Sequence, residues 1–168
     1  MKSIILVAIL LLSVGFSQGL EEGDTAFLPT LPNSYGRPVA LADAASEGGW
    51  VALWFYPRAF TGGCSLQAKR YSDLHEDFTR ASISAYGVSA DSAQTQCDFV
   101  EELAQNGAMI PDPRRVLADA YGVDGGAFFN RNTVLINPAG RVEKIWRNTD
   151  PIDDADRVLE YVLKHASN

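Results

Sequence analysis

Val51 to Tyr56, Val-Ala-Leu-Trp-Phe-Tyr, are six apolar or aromatic residues in unbroken succession. A strand with no polar alternation must be covered on both faces, which puts it inside a layered α/β sheet rather than in an open antiparallel one. Pro57 stops the run, and the segment to Gly63 carries the chain onto Cys64. From there a helix is predicted to Phe78, with Gln67, Tyr71, Leu74 and Phe78 along one stripe. A thiol in the first turn of a helix lies among N–H groups without intrahelical partners, at the positive end of the helix dipole. Both features favour the thiolate.

The remaining patterns alternate. Ile83 to Ser89 reads as a strand, and Asp91 or Ser92 caps a helix bearing Phe99, Val100 and Leu103 that runs to Asn106-Gly107. Arg114 to Tyr121 is a short helix closed by Gly122, and Gly125-Gly126 mark 122–130 as the mobile loop. Arg131 to Asn137 and Val142 to Trp146 form a hairpin through Pro138-Ala139-Gly140-Arg141. Ala155, Val158, Leu159, Val162 and Leu163 define a last amphipathic helix. The order βαβα then ββα is the thioredoxin plan: an α/β fold with a central mixed sheet flanked by helices, preceded by an N-terminal extension.

The first segment stands apart. Lys2 precedes an apolar run from Ile4 to Phe16, followed by Ser17-Gln18-Gly19 and the acidic Glu21-Glu22. That is the pattern of a secretory signal peptide, residues 1–19, leaving one domain over 20–168. The run is short for a membrane span and ends on no cysteine that would take a lipid, which leaves an uncleaved amino-terminal anchor as the lesser reading. The expected product is periplasmic or secreted, without stable membrane association after cleavage. A net charge of −7 with no basic run excludes a surface built for nucleic acid. His75 and His165, the only histidines, have no accompanying ligand spacing, so no metal is expected. Phosphate-loop, dinucleotide and Gly-x-Ser-x-Gly patterns are absent, and no cofactor is implied.

The spacing Pro57-x-x-x-Thr61-x-x-Cys64 resembles the signature of the peroxiredoxins, and within them the Q-type or bacterioferritin-comigratory-protein group. Further landmarks follow in order: Gly87 to Ser92, Asp112-Pro113, Ala120 to Val123, and Arg131 to Gly140. The resemblance implies a thiol peroxidase for hydrogen peroxide and organic hydroperoxides in which Cys64 attacks the O–O bond. It assigns Arg131 as a fixed positive charge, Thr61 as a proton acceptor from, or donor to, the peroxide, and Pro57 as a shield for the sulfur. Backbone N–H groups of Gly63 and Cys64 would stabilise the developing charge. Many Q-type members carry a resolving cysteine five residues after the first, but here that residue is Lys69. Cys97 lies where another subset of the superfamily resolves, giving an intramolecular disulfide recycled by a thioredoxin-like reductant protein. A monomer or weak homodimer is expected. Gln96 stands where relatives often have His, Gly62 where they have Pro, and Phe128-Phe129 suggest an apolar collar for alkyl hydroperoxides.

Other readings of the same residues stay open at this stage. Two cysteines in an exported chain also suit a structural Cys64–Cys97 disulfide in a redox-inactive thioredoxin-fold binding module. Cys64 alone would suit a small buried apolar position, and Arg131 a surface ion pair. General thiol–disulfide exchange is disfavoured, because residues 61–64 read Thr-Gly-Gly-Cys and not Cys-x-x-Cys.

Overall fold

The apolar run becomes the central strand. The computed structural model describes residues 19–46 and 48–166, so almost all of the expected signal peptide lies outside the described residues. Strand β1 (Thr30–Pro32), strand β2 (Pro38–Ala40) and helix α1 (Leu41–Ser46) form the extension before the central β3 (Trp50–Phe55). After β3 come α2 (Gly62–Asp73), α3 (His75–Arg80), β4 (Ile83–Ser89), α4 (Ala93–Glu102), β5 (Ala108–Pro111) and α5 (Val116–Ala120). The chain then runs through β6 (Thr133–Ile136), β7 (Val142–Trp146) and α6 (Asp154–His165). The main sheet has the order β5-β4-β3-β6-β7, with β4 parallel to β3 and β6 antiparallel to it. It is the expected mixed sheet of the thioredoxin plan.

Every residue of β3 is buried because each face has its own helical layer. Ala52 and Trp54 pack with Tyr71, Phe78, Phe99 and Val158 from α2, α3, α4 and α6. Val51, Leu53 and Phe55 pack with Leu41, Leu117 and Tyr121 on the other face. Trp54 shows how closely the layers fit. It stacks on Tyr71 at 4.8 Å, and its indole occupies the space over Gly87, its register partner, where a Cβ would come within 2.4 Å of the ring. Gly87 is in mid-strand because a side chain has no room there.

Several boundaries differ from those the patterns suggest. The helix expected from Cys64 to Phe78 begins at Gly62 and is divided at Leu74, whose near-zero ψ breaks it into α2 and α3. Ser92 is the cap of α4, its hydroxyl accepting the Thr95 N–H at 3.1 Å. That helix stops at Glu102, short of Asn106, where Ala104 takes a left-handed conformation. Strands β1, β2 and β5 and helix α1 have no counterpart in the patterns, being three to six residues long. The loop 122–130, expected to be mobile, is strapped down. Asp124 bridges to Phe129, and Arg115 binds both the Asp124 carboxylate and the Gly126 carbonyl while its guanidinium lies over the Phe129 ring.

Asp112 secures α5, which supports Phe55 from behind. One carboxylate oxygen accepts the Val116 N–H at 2.7 Å and the other those of Leu117 and Ala118 at 2.9 and 3.0 Å. Burial pushes this carboxyl up while the three N–H groups hold it down. Asp112→Ala is expected to cost about 2 kcal/mol. Thermal unfolding followed by circular dichroism should read this as a fall in Tm of roughly 5 °C.

Candidate active site

The loop leaving β3 is held rather than free. The Ala59 N–H donates to the Asp91 carboxylate at 2.8 Å, and that same oxygen accepts the Ser89 hydroxyl. Phe60 follows with a positive φ of 61° and sets its ring edge-on to Phe99 at 5.2 Å. Pro57 is half-buried and Thr61 exposed. Thr61 occupies the N-cap position of α2 in the extended conformation usual there, yet it caps nothing. Its hydroxyl turns back to donate to the Arg58 carbonyl at 3.0 Å. Among the described residues the N–H groups of Gly63 and Cys64 consequently have no acceptor.

Cys64 is 1 % exposed. Its sulfur lies 3.4 Å from Arg131 Nη2, which donates to it. The other arm of that guanidinium, Nη1, donates to Gln67 Oε1 at 2.6 Å. Gln67 is one turn along α2 and wholly buried, and its own Nε2 donates to Asp154 Oδ2 at 2.8 Å. The Tyr71 hydroxyl at 2.9 Å and the Thr133 hydroxyl at 2.8 Å donate to the same oxygen. Burial pushes the Asp154 carboxyl up, and the Gln67, Thr133 and Tyr71 donors oppose it.

The backbone that carries Arg131 is equally fixed. Its carbonyl accepts the Thr149 N–H at 2.8 Å, and the Asn132 carbonyl and side chain accept the Phe55 and Asn148 N–H groups. Gly63 completes the fit. A Cβ at that position would lie 3.3 Å from Arg131 Nη2, so the guanidinium rests against bare backbone.

The structure thus brings Cys64 and Arg131 into contact, with Thr61 at the mouth of the helix and Pro57 on the same loop. Cys97 is elsewhere on the rim, in the second turn of α4, with its sulfur 3.6 Å from Glu101 Oε1. Desolvation and then the Glu101 carboxylate push this thiol up. Neither cysteine is in a disulfide. The aromatic pair separates: Phe129 is buried against Phe55, and only Phe128 is exposed. The exposed ring adjoining Thr61 is instead Phe60. Gln96 is buried, donating to Ser89 and the Ile110 carbonyl. Among the described residues no group of three or more His, Cys, Asp and Glu is placed to hold a metal.

Sequence patterns do not single out Asp154 or Thr133, and they show Gln67 only as part of an apolar stripe. A signal exists for Asp154. With Val158 and Val162 it falls at i, i+4 and i+8, on the buried side of α6. A carboxylate there has to find donors.

Residues 23–145 match the AhpC/TSA family. The chain belongs to that family. A putative peroxiredoxin bcp of Helicobacter pylori is 32% identical over 149 residues, covering 84% of this chain and 97% of that protein. Peroxiredoxin Bcp of Escherichia coli is 28% identical over 155 residues, covering 88% and 98%. Among solved structures, Peroxidoxin BcpB from Mycobacterium tuberculosis superposes with a TM-score of 0.79 at 28% identity, covering 86% and 97%. Peroxiredoxin Q of Xanthomonas campestris gives 0.77 at 27%, covering 84% and 97%. The chain is a Q-type, Bcp-like member with the thioredoxin fold of the peroxiredoxins, and an oxidoreductase: a thiol-dependent peroxidase.

Gly63 offers a clean test of the packing around the guanidinium. In Gly63→Ala the helix gains propensity, so Tm should hold or rise, but the new methyl crowds Arg131 Nη2, and an arginine held at both ends must shift by a few tenths of an ångström. Peroxide consumption, followed by loss of peroxide absorbance, is expected to slow about three- to tenfold.

Proposed function

We propose that this protein is an exported peroxidase that reduces hydrogen peroxide and organic hydroperoxides with Cys64 as nucleophile and Cys97 as resolving residue. The observation that carries the reading is the 3.4 Å contact between Arg131 and the Cys64 sulfur at a helix end whose N–H groups are uncapped. The Cys64 thiolate attacks one peroxide oxygen and the O–O bond breaks. The sulfur is oxidised to sulfenic acid, and the leaving alkoxide or hydroxide takes up a proton. Arg131 and the N–H groups of Gly63 and Cys64 face the charge as it shifts to the oxygens. The Thr61 hydroxyl has its proton committed to the Arg58 carbonyl, which leaves its lone pairs to accept the peroxide O–H.

Cys97 then attacks the sulfenic sulfur, a disulfide forms and water leaves. Lys69 at the alternative position supports Cys97 in this role, since α2 holds no second thiol. A thioredoxin-like dithiol protein returns the disulfide to two thiols. The exposed Phe60 ring beside Thr61 suits substrates with an alkyl group, in keeping with the alkyl peroxide reduction activity named for the bacterioferritin comigratory protein of Xanthomonas campestris. We read the working unit as a monomer or weak homodimer.

Cys64→Ser is expected to abolish peroxide consumption, while Cys97→Ser consumes about one equivalent and stalls at the sulfenic acid. Dimedone labelling followed by mass spectrometry locates the oxidised residue. Turnover retained by Cys64→Ser overturns the assignment.

Export rests on the pattern of residues 1–19, and backbone pairing with the body of the domain is present from Leu20, whose N–H donates to the Ala120 carbonyl at 2.8 Å. Mass spectrometry of protein from the native host's envelope or medium should give an amino terminus within about two residues of Leu20. Material that retains Met1 or Lys2 would overturn it.

A further inference from the structure

Gln67 is placed between two partners of opposite polarity. Arg131 can only donate, and an ionised carboxylate can only accept. The two ends of a primary amide are nearly the same size, so packing does not decide which faces which; its partners do. Here Oε1 meets the guanidinium at 2.6 Å and Nε2 meets Asp154 at 2.8 Å. Were the amide reversed, its NH2 would face another donor at one end and its carbonyl a carboxylate at the other.

Asp154 is itself fixed. Its side chain receives Tyr71 from α2 and Thr133 from β6, and the Tyr71 ring is stacked between Trp54 and Phe78 at 4.8 and 5.5 Å. The nearest basic group on its own helix, Arg157, is paired with Asp153. Among the described residues Asp154 forms no salt bridge; Arg157 acts on it through space, and its hydrogen bonds lead through the Gln67 amide to Arg131.

We propose that Asp154 is a positioning residue: by accepting the Gln67 amide it fixes the orientation of that side chain, and so holds the Arg131 guanidinium against the Cys64 sulfur. The proposal rests on Cys64 being the nucleophile. Nothing is transferred along the chain of hydrogen bonds; Asp154 sets the direction of the donors and Arg131 alone meets the sulfur.

The experiment compares three proteins in a Cys97→Ser background: the parent, Asp154→Asn, and the swapped pair Gln67→Glu with Asp154→Asn. In Asp154→Asn the three donors that share one carboxylate oxygen meet instead an uncharged amide oxygen with two lone pairs, and the hold on Gln67 weakens. Oxidation of Cys64 by hydrogen peroxide should slow about ten- to a hundredfold. In the swapped pair the carboxylate introduced at position 67 accepts from Arg131 whichever way it is turned, and the amide introduced at position 154 donates to it. Charge and volume are conserved, and the rate should return to within about threefold of the parent. Alkylation of Cys64 by iodoacetamide is followed in parallel and should change in the same order.

A folded Asp154→Asn protein that reacts like the parent overturns the proposal. A swapped pair no faster than Asp154→Asn also overturns it, because Asp154 then serves the fold alone, and so does failure of both variants to fold. If Asp154→Asn alone fails to fold, the swapped pair decides by its rate against the parent: within about threefold supports the proposal, and slower than about tenfold overturns it. Should the parent fail to consume peroxide, the reading of Cys64 falls, and the alkylation rates still report whether Asp154 holds Arg131 at the sulfur.

Discussion

The site depends on one guanidinium held at both ends. Arg131 presents two arms in a fixed plane; one meets the Cys64 sulfur and the other the Gln67 carbonyl. Much of the surrounding structure bears on that placement. The antiparallel pairing of β6 with β3 brings the segment at Arg131 alongside the end of the strand that leads to Cys64. The loop before it is clamped by Arg115, and the backbone at Arg131 and Asn132 is bonded to Phe55, Asn148 and Thr149. Gly63 leaves the space the guanidinium fills.

Local rules are broken just where this charge is used. Thr61 is a good N-cap residue in the right conformation, and a cap there would stabilise the helix by about 1 kcal/mol. Its hydroxyl instead faces Arg58, and α2 starts with open donors. Phe60, a bulky residue, takes a left-handed conformation immediately before it. Stability forgone at a helix start, beside strained backbone, is expected of a site whose donors are kept for a substrate.

The parts of the fold legible from sequence are those marked by a long apolar run, a helical stripe or a turn signal. The β3 run, the β4 strand, the β6–β7 hairpin and the α6 stripe all appear within a few residues of their expected bounds. Three- and four-residue strands such as β1, β2 and β5 have no readable period, and their pairing is set by neighbours remote in sequence. The same divide runs through the site. Cys64 and Arg131 are legible because motif spacing marks them; Gln67 shows only as one member of a stripe. Asp154 and Thr133 are not, because their part in the network depends on contacts 87 and 21 residues apart along the chain. Paired glycines suggest a mobile loop at 122–130, but Arg115, outside that window, ties it down.

The two cysteines share a rim because β3 and β4 are parallel and α2 and α4 both follow their strands' carboxyl ends. They are nonetheless engaged separately, Cys64 with Arg131 and Cys97 with Glu101. A disulfide requires its Cα atoms within about 4.4–6.8 Å and its Cβ vectors facing. Resolution by Cys97, as proposed, would draw the Cys64 sulfur away from the guanidinium, against the Ala59–Asp91 bond and the Phe60–Phe99 contact that tie the loop to α4 and the turn before it. The first turn of α2 is the cheapest part of this region to unwind, since it has no side-chain cap to lose. One omission at Thr61 thus serves both steps of the proposed cycle: it leaves N–H groups open for the peroxide, and it leaves the turn that carries the oxidised sulfur free to move toward its partner.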